Sequence, residues 1–135
     1  DKFEIINCHM PLGTTLKIRG RKDYIADWME INLGQSAEKL NLHFYIHFTD
    51  SVILCNSKDG GWGEEQRTDL PRTHLSCCVR GREATFTVTF ENEQFQVKLP
   101  DDHVVTFPNR LGHSQLSYMS VKGGFKVSSF KLNEW

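Results

Sequence analysis

Three side chains able to exchange protons or hydrogen bonds, His43, Tyr45 and His47, fall at every second position of the run Leu40-Asn41-Leu42-His43-Phe44-Tyr45-Ile46-His47-Phe48. Side chains alternate between the two faces of a strand. The run therefore sends Leu40, Leu42, Phe44, Ile46 and Phe48 toward a core and displays His43, Tyr45 and His47 together. Further along, Trp62 follows two glycines and precedes Glu65 and Arg67, and Asn56 stands shortly before it. Indole, imidazole, amide, carboxylate and guanidinium gathered in one shallow groove suit a neutral polyol. A pyranose has an apolar C–H face that lies against an aromatic ring, and hydroxyls that each donate and accept. On one strand face Glu65 and Arg67 would orient each other and bracket a hydroxyl.

Competing chemistries fit these residues less well. His43 and His47 share a face, but residues four apart on a strand are separated by about 13 Å, too far for one metal ion, and His9, His74, His103 and His113 have no ligand-like spacing. Neither a metal nor another cofactor is implied. The chain has no G-x-S-x-G elbow, phosphate loop or H-E-x-x-H helix. Glu64 and Glu65 are adjacent and point to opposite faces, so they cannot flank one scissile bond. Cys77 and Cys78 have only His74 nearby and read as idle thiols. An enzyme is not expected.

The elements that must position these groups are strands. Period-two patterns recur at Phe3–Ile6, Leu16–Arg19, Trp28–Leu33, Val52–Cys55, Phe86–Phe90, Phe95–Leu99, Val104–Phe107, Leu116–Met119 and Phe125–Leu132. About ten short strands in one domain imply an antiparallel sandwich or barrel. The clearest hairpin joins Phe86–Phe90 to Phe95–Leu99 through Glu91-Asn92-Glu93-Gln94, with Thr87, Thr89, Gln96 and Lys98 outward. Thr68 to Glu83 is the least regular span and is expected to hold a longer connection.

With 135 residues the chain is expected to form a single domain over 1–135 with its own core. A formal charge of −1 argues against nucleic acid as partner, since phosphate-binding domains are usually strongly basic. The densest basic cluster, Arg19-Gly20-Arg21-Lys22, reads as a solvated turn. Cys8, Cys55, Cys77 and Cys78 lack the spacing of a disulfide framework and are expected to be reduced. No segment has the length and apolarity of a membrane span or the pattern of a signal peptide, so a cytoplasmic location is the expectation.

Several of these segments occur together in one known family. Leu40-Asn41-Leu42-His43-Phe44, Ile53-Leu54-Cys55-Asn56-Ser57, Trp62-Gly63-Glu64-Glu65-Gln66-Arg67, Phe86–Phe90 and Phe107-Pro108-Asn109-Arg110-Leu111-Gly112-His113, in this order, closely resemble a prototype, single-domain galectin, nearest the second mammalian type. The likeness runs from about Phe3 to Leu132. It implies an all-β jelly-roll sandwich of two antiparallel sheets, with a β-galactoside across the concave one. Partners would be glycans or glycoproteins. It also implies leaderless secretion to the extracellular space and a homodimer through the terminal strands, although Phe3, Ile5, Phe130 and Trp135 could equally complete the monomer's own core. Carried over by position, His43 would contact the axial hydroxyl of galactose, Asn56 its 6-hydroxyl and Trp62 its apolar face. Glu65 and Arg67 would reach the adjoining glucose or N-acetylglucosamine.

Two departures qualify that implication. The family's strand reads His-Phe-Asn-Pro-Arg-Phe, whereas this one reads His43-Phe44-Tyr45-Ile46-His47-Phe48. Tyr45 is bulkier than the amide it replaces, and His47 is shorter than a guanidinium and largely neutral at pH 7. The expectation is a carbohydrate-binding protein with weakened or altered galactose specificity. The alternative is a galectin scaffold that works as a protein-interaction module without sugar. The second departure is a Thr68–Glu83 connection several residues longer than in the relatives it resembles.

Overall fold

The computed structural model describes residues 2–71 and 82–133. Among them are eleven strands: β1 (Lys2–Pro11), β2 (Thr15–Lys22), β3 (Trp28–Ser36), β4 (Lys39–His47), β5 (Val52–Asp59), β6 (Gln66–Asp69), β7 (Glu83–Phe90), β8 (Gln94–Lys98), β9 (Val104–Pro108), β10 (Gln115–Gly123) and β11 (Phe125–Asn133). They form two antiparallel sheets, a six-stranded one in the order β1-β10-β3-β4-β5-β6 and a five-stranded one in the order β11-β2-β7-β8-β9. This is the jelly-roll sandwich that the resemblance implied.

Alternation in sequence becomes the division between core and surface. In β2 the inward Leu16 and Ile18 are fully buried between exposed Lys17, Arg19 and Arg21. In β7 Phe86, Val88 and Phe90 are buried and threonines lie between them. The β7–β8 hairpin sets Phe90 opposite Phe95 and Val88 opposite Val97. Fully burying side chains of this size contributes about 1.5–3 kcal/mol each. The two sheets' inner faces therefore supply the stability that holds the outer faces in place. Phe3, Ile5 and Phe130 pack half-buried against the core, and the rings of Phe3 and Phe130 lie 5.6 Å apart.

Two expectations are corrected. Arg19-Gly20-Arg21-Lys22 is the second half of β2, not a turn; alternation continues through it, with Gly20 and Lys22 inward, and the charges mask the pattern. Gln66–Asp69 is a strand that periodicity missed, because a four-residue edge strand with polar, partly exposed side chains has no apolar face to reveal it. Cys8 and Cys55 are free thiols, and burial pushes the Cys55 thiol up to about 12, which makes it inert at neutral pH. Cys77, Cys78, His74, Trp135 and the middle of the Thr68–Glu83 connection lie outside the described residues.

Candidate functional site

The six-stranded sheet's outward face is ordered by the pairing of β3, β4, β5 and β6. One row runs Asn32–His43–Asn56, the next Glu30–Tyr45–Leu54–Arg67, and the third Trp28–His47–Val52–Asp69. His43, Tyr45 and His47 thus share one face, as alternation required. Trp62 comes to the first row by a separate route. Beyond β5 the chain reverses through Gly60, where φ is +77°, and Trp62 pairs back on Lys58. The Asn56 side-chain amide donates to the Gly63 carbonyl at 3.0 Å, and the Gly63 N–H donates to the Ser57 carbonyl at 2.9 Å. An indole 53 % exposed is consequently held upright at the groove wall.

His43, Leu54, Asn56, Trp62 and Glu65 line one cavity of about 300 Å³. The His43 ring tilts against Trp62, with centroids 4.7 Å apart. Its protonation state follows from its support. Asn32, buried, donates through its amide nitrogen to Glu30 at 2.7 Å and to Ser120 at 3.1 Å, so its oxygen must be the atom 2.7 Å from His43 Nδ1. An amide oxygen only accepts; Nδ1 therefore carries the proton and Nε2 keeps its lone pair. Burial holds the imidazole below its usual pKa against the opposing pull of Glu30, which keeps it neutral. The groove thus contains an acceptor on a fixed ring beside an aromatic face.

Asn56 is supported from behind. Its oxygen accepts from the Ser57 N–H at 2.8 Å and from Arg110 at 3.4 Å, and the Arg110 guanidinium lies over the Phe107 ring. The Phe107–His113 segment is therefore a brace for the Asn56 side of the cavity. Lys58 approaches the Trp62 ring, its ammonium 5.1 Å from the centroid.

Not all the anticipated residues converge. Tyr45 stacks between the rings of Trp28, at 5.7 Å and 19°, and His43, at 6.3 Å and 27°; it lies alongside the cavity and leaves it open. His47 has both ring nitrogens facing carboxylates, Asp27 at 3.0 Å and Asp50 at 3.2 Å. Arg67 lies on β6 outside the cavity lining, with its guanidinium held by Asp69 at 3.0 Å. The expected Glu65–Arg67 pairing is corrected on that ground: Glu65 sits before β6 begins, whereas Asp69 is two residues on along the same strand face. Sequence reasoning missed Glu30, Asn32, Leu54, Lys58 and Arg110. The first two were detectable in principle, since alternation along Trp28–Leu33 places them on the face opposite Met29 and Ile31. Beyond Trp28 lies a wider depression of about 760 Å³ walled by Ile25, Ala26, Gly123 and the charges of Lys2, Asp27 and Lys122.

Residues 2–132 match the family model described as galactoside-binding lectin. Human Galectin-2 is 57% identical over 134 residues, covering 98% of each chain. Goat Galectin-1 is 36% identical over 130 residues, with 90% of each chain covered. Among solved structures, chicken Galectin 2 superposes with a TM-score of 0.88 at 42% identity, covering 97% of this chain and 98% of that one.

Proposed function

The chain belongs to the galectins, the galactoside-binding lectins, and from that premise we propose that it holds a sugar between Trp62 and His43 with a weakened or shifted preference for galactose. Galectins are lectins and not enzymes. The observation that carries the reading is the juxtaposition of a half-exposed indole with a neutral imidazole whose Nε2 is an acceptor, at the wall of one open cavity.

The pyranose C–H face lies on Trp62 and a hydroxyl donates to His43 Nε2. The second amide proton of Asn56 and the Glu65 carboxylate complete the contacts, with Arg67 at the outer rim. Tyr45 and His47 stand where the family's strand has asparagine and arginine. Tyr45 is committed to its stack and His47 to two carboxylates, so neither replaces the clamp on the galactose ring. Losing one charged and one neutral hydrogen bond amounts to about 2–3 kcal/mol, on the order of a hundredfold in affinity.

The test is calorimetry with lactose together with a glycan array. Weak lactose binding, or selection of a different glycan, is expected, with indole fluorescence changing saturably as the sugar stacks. Silence across every glycan and an unresponsive Trp62 would remove the reading and leave the protein-interaction module. A terminal-strand dimer is part of the same proposal, because β1 and β11 are sheet edges. Sedimentation at micromolar concentration, expected to give the mass of two chains, tests it.

A further inference from the structure

The charges of the Arg19-Gly20-Arg21 segment have no role in the groove, and they lie on the other sheet. On the outer face of the five-stranded sheet, Lys17, Arg19 and Arg21 project from alternate positions of β2, all exposed, about 7 Å apart along the strand. On β11 the register sets Lys126 opposite Arg21 and Lys131 opposite Lys17, one strand spacing of about 4.8 Å away. Gly20 permits that closeness, since a Cβ there would stand 2.3 Å from the Lys126 carbonyl oxygen and 2.7 Å from the Phe125 ring. Five cationic side chains form one block. Among the described residues a single carboxylate lies within it, Glu83, which pairs with Arg19 at 2.8 Å. Lys17, Arg21, Lys126 and Lys131 have no ion-pair partner among the described residues. The whole chain carries a formal charge of −1, so this positive field is local to one face.

We propose that this face is a second binding surface, separate from the sugar groove, for a linear sulfated polysaccharide. An extended row of cations at regular intervals fits a chain of repeating anionic groups better than a single phosphate or carboxylate. Beside the block, β7 presents Thr85, Thr87 and Thr89 and β8 presents Gln96, donors and acceptors suited to sugar hydroxyls. The same face carries no aromatic side chain among the described residues, which removes the stacking platform that single-stranded nucleic acid uses. Among the described residues its one large exposed apolar side chain is Val104, at the far edge, too little to anchor in a bilayer. Because the groove lies on the opposite sheet, the two ligands bind together without competing.

The test uses heparin as probe, immobilised on resin and free in calorimetry, with the full chain. The protein is expected to be retained in low salt and released as rising salt screens the cations, the Debye length reaching about 8 Å near 0.15 M. The triple variant Lys17→Gln/Arg21→Gln/Lys131→Gln is expected to lose heparin affinity by at least about tenfold, the equivalent of 1.4 kcal/mol, with unchanged thermal unfolding. A charge-matched variant of the other sheet, Lys2→Gln/Lys39→Gln/Lys122→Gln, is expected to remain bound to heparin as the parent does. Failure of the parent to bind heparin, equal losses in both triple variants, or displacement of heparin by free lactose would each overturn the proposal. Absence of any lactose binding, with heparin retention intact, would instead count only against the groove.

Discussion

One strand face has two ends that differ in how far their polar groups are already committed. At the His43 end, Asn32, Glu30 and Ser120 form a chain of hydrogen bonds behind the ring and leave Nε2 as an acceptor toward a cavity. At the His47 end, the imidazole lies between Asp27 and Asp50, and Asp27 also accepts from the Thr49 hydroxyl. Tyr45, between them, joins Trp28 to His43 by stacking. Two histidines four residues apart thus have opposite fates: one is held by partners that present it, the other by partners that occupy it. Residue type alone does not make a binding group; an atom left over after the protein's own hydrogen bonds are made does.

The largest effect expected from this contrast is a gain. Tyr45→Asn with His47→Arg restores the two family side chains and is expected to tighten lactose binding about a hundredfold, measured by calorimetry. A gain below threefold would place the cause of the proposed weak binding elsewhere, the longer Thr68–Glu83 connection included. Next is Asn32→Ala, which removes the oxygen that fixes the His43 tautomer. Lactose affinity is expected to fall about tenfold, and the vacated partners, half-buried Glu30 and buried Ser120, cost a further ~1–3 kcal/mol of folding stability. Unchanged affinity would show that the ring is oriented by Trp62 and Glu30 without the amide.

The contrast was only half legible in the chain itself. Alternation along Leu40–Phe48 was enough to place His43, Tyr45 and His47 on one face, since the period of a strand depends only on backbone geometry. The same pattern, repeated in β2, β7 and β8, implied a sandwich or a barrel, and the family resemblance implied the sandwich. Partnership across strands is another matter. That Asn32 sits behind His43, or that Asp27 reaches His47, depends on which strand neighbours which and in what register, and these are set by contacts between residues distant in sequence. Arg67 shows the limit within a single segment. Glu65 and Asp69 are both two residues away, and the choice between them depends on where β6 begins. Arg19 to Lys22 shows the reverse error, where charge and a glycine concealed a strand whose inward residues continue the core pattern.

Acidification separates binding from stability at His43. Its pKa in the folded protein is lowered, burial outweighing the attraction of Glu30, while Lys58 and Lys122 add to the lowering and Glu65 opposes it. In the proposed complex the neutral ring is therefore the form that would accept a sugar hydroxyl. Lactose affinity is expected to be level from pH 8 down through the ordinary histidine value of about 6.5, and to fall only below it as Nε2 takes a proton. Folding stability behaves differently, because the unfolded chain binds its proton first. The His43 contribution is complete above about pH 6.5 and declines as pH falls from there toward the lowered folded-state value. Calorimetric titrations at a series of pH values, beside denaturant melts at the same values, should show stability declining before affinity does. Affinity falling already from about pH 6.5, with stability level over the same range, would mean that His43 titrates at its ordinary value and that its burial has no electrostatic consequence.

The smallest expected effect belongs to the other histidine. Asp50 is well exposed and meets His47 directly at the surface, at 3.2 Å; surface pairs of this kind contribute about 0–1 kcal/mol. Asp50→Asn is therefore expected to leave unfolding free energy within about 0.5 kcal/mol and lactose affinity within about twofold. Asp27 still faces Nε2, so His47 keeps its orientation and the groove its present shape. A larger rise in affinity would show that the carboxylates had been holding His47 away from the ligand. The Tyr45 and His47 end would then be an inhibited copy of the His43 end rather than a region already committed to other contacts.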